Sequence, residues 1–157
     1  MNTLFVGLDV HKETISIATA VDGRDGEVRS CGTIESTTVH VSRMIKRLAE
    51  ANKTLHFCYE AGPCGYGLYR QIVEAGHTCS VVAPSAIPQK PGDRVKTDRI
   101  DAIKLARLLR AGDVTAIWVP DAAHEAMRDL VRSRAGHCSL TSGSGVSLPV
   151  MRSGVMA

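Results

Sequence analysis

The chain has 157 residues, 44% hydrophobic, 22% charged and 4% aromatic, with a formal net charge of +3. That length suits one domain with a short appendage, and the apolar content excludes a wholly disordered chain. No apolar run approaches the ~20 residues of a membrane span, and the start Met1-Asn2-Thr3-Leu4-Phe5-Val6-Gly7-Leu8-Asp9 lacks the basic stretch of a secretion signal.

Residues 3–10 form a short apolar run that ends on an acid, which reads as a buried strand. Residues 14–21 alternate polar and apolar, the pattern of a half-buried strand. The cluster Asp22-Gly23-Arg24-Asp25-Gly26 is a turn, and a third strand follows over 27–34. Val41, Met44, Ile45, Leu48 and Ala49 recur at helical spacing, predicting an amphipathic helix over 38–51. A fourth strand covers 55–59 and ends at Glu60. Gly62-Pro63-Cys64-Gly65 breaks the chain before a second helix, which carries Leu68, Ile72, Val73 and Ala75 and stops at Gly76. Residues 78–83 form a fifth strand, and residues 84–96 a loop rich in proline and bases. A third helix runs over 97–111 with Gly112 as its stop. Residues 115–119 suggest a short strand, and Pro120-Asp121 opens a helix through Glu125, Met127, Leu130 and Val131. Three strands followed by alternating helices and strands predict an α/β fold. Its mixed five-stranded sheet has helices on both faces, in ribonuclease H-like order.

The five cysteines form no C-x-x-C pair, which argues against a disulfide scaffold or thiolate zinc site; Cys58 and Cys79 read as small core residues. The six histidines show no ligand-like spacing. The plain reading is a reduced, cytoplasmic protein.

Four acids carry the chemical argument. Asp9 lies in an apolar strand, where a lone carboxylate needs a cationic partner. Glu60 ends the fourth strand, which this order places beside the first. Asp98 and Asp101, spaced i, i+3, share one helix face. Such hard oxygen donors suit Mg²⁺ or Mn²⁺, and paired metals serve phosphodiester chemistry. Each acid also has a plainer reading: Asp98 and Asp101 as first-turn acids on a helix dipole, Asp9 as a strand-end turn residue, Glu60 as a loop acid. Lys90, Arg94, Lys96, Arg99, Lys104, Arg107 and Arg110 make the loop and third helix basic, which suits phosphate contact or a solvated face.

Three blocks then stand out: Gly7-Leu8-Asp9-Val10-His11-Lys12, Tyr59-Glu60-Ala61-Gly62-Pro63-Cys64-Gly65-Tyr66, and Lys96-Thr97-Asp98-Arg99-Ile100-Asp101-Ala102. In this order and spacing they resemble the DEDD transposases of bacterial insertion sequences, whose N-terminal domain is similar to the RuvC Holliday-junction resolvase. The resemblance covers about residues 3–134. It implies that Asp9, Glu60, Asp98 and Asp101 are the catalytic acids that bind divalent metal. It implies DNA strand cleavage and exchange, with DNA and a structured guide RNA as partners, a homo-oligomer and a nucleoid-associated location. Lys12 joins Lys90, Arg94, Lys96 and Arg99 as a candidate phosphate contact on chemical grounds. Tyr66 and Tyr69 are candidates for stacking on bases, while Tyr59 suits the core.

The resemblance also leads one to expect a helical linker and a second domain with a serine nucleophile. None of Ser139, Ser142, Ser144, Ser147 and Ser153 can be matched to that serine. The expected organisation is a RuvC-like domain over 1–134 and an atypical Ser/Gly-rich tail over 135–157 without fixed structure, arising from a frameshift or rearrangement. A chain of this kind would be incomplete for recombination on its own. A competing expectation is a non-catalytic fragment that binds nucleic acid or inhibits full-length transposase. An actin-like phosphotransferase shares the opening strand pattern but needs a longer, two-lobed chain.

Overall fold

A computed structural model describes residues 3–23, 25–50, 54–62, 64–86, 97–121, 123–124, 126–127 and 130–131. The first strand, β1 (Thr3–Val10), pairs antiparallel with β2 (Thr14–Val21), which pairs antiparallel with β3 (Val28–Glu35). Helix α1 (Thr38–Ala49) then carries the chain to β4 (Thr54–Glu60), which lies parallel to β1. Helix α2 (Gly67–Glu74) leads to β5 (Thr78–Val82), parallel to β4. The sheet order is β3-β2-β1-β4-β5, the mixed five-stranded arrangement expected from the sequence. A short 3₁₀ turn covers Pro84–Ala86, and helix α3 spans Asp98–Ala111.

The strand alternation sorts the core onto two faces. Leu4, Val6, Leu8, Ile15, Ile17, Leu55, Phe57 and Tyr59 turn to one face, where they bury Val41, Met44 and Ile45 of α1 and Ile72 of α2. The other face is covered by α3. There Ala18 and Ala20 meet Ala102 and Ala106, and Cys58 meets Leu105 and Leu109. Thr37 caps α1 by accepting from the His40 N–H. Gly112 ends α3 in the left-handed conformation at φ 75°, which suits a residue without Cβ.

Residues 115–119 do not make a strand. Only Ala116 bridges Val82, with the Ile117 N–H donating to the Val81 carbonyl at 2.8 Å. The expected helix after Pro120 is present at residues 123–124, 126–127 and 130–131. The Asp121 carboxylate accepts from the His124 N–H at 2.9 Å, an N-cap bond. The boundary expected near residue 134 and the tail 135–157 lie outside the described residues. Among the described residues, no helix is long and apolar enough to cross a membrane.

Candidate metal centre

Two-residue periodicity decides where Asp9 points. Leu4, Val6 and Leu8 face α1 and α2, so Phe5, Gly7 and Asp9 face α3. The same parity in β4 sends Cys58 and Glu60 to the α3 side. Leu8 is paired with Tyr59, so Asp9 and Glu60 stand at one level on neighbouring parallel strands.

Helix α3 brings the other acids. Its buried stripe is Ala102, Leu105, Ala106 and Leu109, and Asp98 and Asp101 prolong that stripe by one turn. The Thr97 hydroxyl caps the helix by accepting from the Ile100 N–H at 3.3 Å. Both acids therefore sit at the positive end of the helix dipole.

Gly7 sets the distance between strand and helix. A Cβ built there would strike the Ala102 carbonyl oxygen and come within 2.5 Å of the Ala106 nitrogen. Two residues up the strand from this contact, about 7 Å, lies Asp9. One turn back along the helix, about 6 Å, lies Asp98. Close backbone approach at Gly7 thus makes the two carboxylates neighbours.

His11 completes the cluster. It follows β1 directly, and its N–H donates to the Thr14 carbonyl at 2.8 Å to close the β1–β2 turn. Its Nε2 lies 3.2 Å from Asp9 Oδ2 and 3.4 Å from Asp98 Oδ1. One ligand atom from each of Asp9, His11 and Asp98 falls within 4.8 Å of the others. Donors about 2.0–2.6 Å from a shared cation stand up to about 5 Å apart across it, so this spacing fits a divalent ion. Two carboxylates and an imidazole are also a suitable donor set.

Asp9 is the half-buried anchor, with its side chain 16% exposed against 58% for Asp98 and 53% for His11. Burial raises the Asp9 pKa from its ordinary value. The charge and hydrogen bond of His11 oppose the shift, and the like charges of Asp98 and Asp101 add to it. A carboxylate held this way gains strongly from an arriving cation.

Of the residues singled out in the sequence, Asp9 and Asp98 are brought together and Asp101 lies within electrostatic reach of Asp9. Glu60 shares their face without joining the three-residue cluster. Lys12 and Arg99 are exposed next in sequence to His11 and Asp98. Lys90, Arg94 and Lys96 lie outside the described residues. Arg110 departs from the expected phosphate-facing role: its guanidinium donates to the Gly26 carbonyl at 2.6 Å, tying α3 to the β2–β3 turn. Tyr59 is buried in the core, as expected, and Tyr66 and Tyr69 pack partly against it. Cys58 and Cys79 lie in the sheet, where burial pushes both thiols up to about 12. His11 escapes a reading of histidine spacing because its partners are acids. The signal that points to it is Asp9-x-His11, which at a strand end returns both side chains to one side.

The family model for the DEDD transposases of the IS110 type, described as a transposase, matches residues 6–140. The protein y4qE of Sinorhizobium fredii, which bears a transposase name, is 62% identical over 130 residues, covering 83% of this chain and 33% of that protein. The transposase for insertion sequence element IS1533 of Leptospira borgpetersenii is 42% identical over 132 residues, covering 83% of this chain and 38% of that one. The chain thus spans about a third of the length of these relatives. A solved RuvC of Thermus thermophilus superposes with a TM-score of 0.50 at 12% identity, covering 73% of this chain and all of that one. RuvC of the same organism in complex with a Holliday junction substrate superposes with the same score at 10% identity and covers the same share of this chain. At these identities the likeness establishes the fold.

Proposed function

Because the chain belongs to the DEDD transposase family, we propose that it forms the metal-dependent catalytic domain of a DNA transposase, serving strand cleavage and exchange. The convergence of Asp9, His11 and Asp98 at the N-terminus of α3 carries this reading. Asp9, Glu60, Asp98 and Asp101 act as the catalytic, metal-binding acids, with His11 as an added donor. When bound, Mg²⁺ or Mn²⁺ supplies Lewis acidity to a scissile phosphodiester.

The protein's own groups divide the remaining work. Asp9, fixed in the sheet, holds the position of the site. Asp98 and His11, more exposed, can adjust as the substrate arrives. Lys12 and Arg99 flank the acids and take substrate phosphates, with Lys90, Arg94 and Lys96 extending that contact. The RuvC solved with a Holliday junction substrate supports branched DNA as the partner class. A structured guide RNA, self-association and a nucleoid location belong to the same proposal.

The test is cleavage of a branched DNA by the purified chain with Mg²⁺ or Mn²⁺. Cleavage is expected, and Asp9→Ala abolishes it. DNA binding that persists in Asp9→Ala, with no cleavage by either protein, would instead mark a non-catalytic binding or inhibitory module.

A further inference from the structure

On the sheet face opposite Asp9, α1 covers β3 incompletely. The space between them is a groove of about 490 Å³. Its floor is apolar, made by Ile17, Ile34, Met44 and Leu48. Its walls carry Arg29 from β3 and Arg43 and Arg47 from α1, all three exposed. Among the described residues, no carboxylate lines it. Glu35, an exposed carboxylate, lies 3.5 Å from Nδ1 of His40, a lining residue whose Nδ1 also lies 2.8 Å from the Thr37 hydroxyl.

Three guanidinium groups around one concavity repel one another. Arg43 and Arg47 stand at i, i+4 on one helix, a like-charge pair that weakens α1. Water solvates isolated arginines well, but an apolar floor gives water little to bond with. An occupant with anionic edges and a flat apolar body answers both features. Arginine forks match phosphate oxygens, and guanidinium planes stack on rings. A base over the Ile34 and Leu48 side of the floor, with its flanking phosphates on the three arginines, answers both the apolar and the charged parts of the lining.

We propose that this groove binds a single-stranded polynucleotide, separately from the strand engaged at the metal centre. DNA and RNA share the recognised chemistry, a phosphodiester chain with planar bases. The groove and the metal centre lie on opposite faces of the sheet, so one nucleic acid can be held on one face while another is processed on the other.

Fluorescence anisotropy tests this with labelled oligothymidylate and oligouridylate of roughly twenty nucleotides. EDTA is present throughout, so failure here leaves the metal centre's role standing, and failure there leaves this groove standing. R43Q/R47Q is expected to weaken binding about tenfold or more, and R29Q alone by a smaller factor. The slope of log affinity against log salt should fall by about 0.7 for each phosphate that a variant no longer neutralises. R43K/R47K, which keeps the charge but loses the fork and the stacking plane, should fall between the parent and R43Q/R47Q. Stronger binding of either oligonucleotide supports the groove and names its source. Affinity unchanged in the triple variant R29Q/R43Q/R47Q overturns it, as does equal displacement by polyglutamate, which would mark a site for acidic polypeptides.

Discussion

On one face of the sheet, α1 and α2 meet Leu8, Ile15, Phe57 and Tyr59; on the other, α3 meets Gly7, Ala18 and Ala20. The first face packs large apolar side chains into its core. The second sets Gly7, Ala18 and Ala20 beside Phe5, Cys58 and Val82 and ends in a row of acids. Large side chains hold helices away from a sheet, whereas glycine and alanine let backbones approach. The first face therefore carries most of the stability, since burial of a large apolar side chain contributes about 1.5–3 kcal/mol. The second trades buried area for proximity, and proximity is what the carboxylates need.

The sharpest way to break this contrast is to damage each face in turn. Phe57→Ala empties the thick face and should cost about 3–5 kcal/mol in urea unfolding. Any folded remainder keeps its affinity for Mn²⁺. Gly7→Ala overfills the thin face and should cost about 1–3 kcal/mol. Here the loss of Mn²⁺ affinity, read by calorimetry, exceeds what unfolding explains, because α3 is pushed away from β1. Equal metal affinity in Gly7→Ala and the parent would erase the distinction between the faces.

Smaller changes sharpen it. Thr97→Ala removes the cap of α3 and should cost about 1 kcal/mol. Asp9→Asn should raise the melting temperature of the metal-free chain by a few degrees while removing stabilisation by Mn²⁺. The folded-state pKa of Asp9 is raised, so the stability it contributes is fully present below its ordinary value of 3.8 and is lost as pH rises through the folded-state value. His56 gives the smallest effect. Burial holds its imidazole below the ordinary value of 6.5. The unfolded chain then takes up the proton first, so stability present above pH 6.5 is lost as pH falls through the folded-state value. His56→Gln should flatten that acid slope, measured by unfolding at about pH 7.5 and about pH 5.

Much of this architecture is legible in the sequence. The alternation over residues 14–21 and the helical spacing from Val41 to Ala49 are local signals, and both elements form where they predict. Asp9 and Glu60 are legible as strand-end acids because the strand order alone makes their strands neighbours. Residues 115–119 mislead because β-propensity does not supply a pairing edge, and the segment touches β5 at a single bridge. Arg110 misleads because a base in a basic stretch looks like its neighbours; only the fold reveals the carbonyls of Gly26 and Val21 within its reach. The groove arginines are hidden for the opposite reason. Arg29 is distant in sequence from Arg43 and Arg47, and one acid, Glu35, interrupts the interval.

The small residues of the α3 face also matter during synthesis. At about 5–20 residues per second, the ribosome needs on the order of ten seconds to advance from Asp9 to Asp98. Through that interval the sheet can assemble with α1 and α2 while the face awaiting α3 stays bare. A bare face of leucine and phenylalanine would be adhesive to other nascent chains. Beside Phe5 and Val82, the residues Gly7, Ala18 and Ala20 add little apolar area to grip. A surface suited to close approach is thus also one that can wait, uncovered, for α3 to emerge.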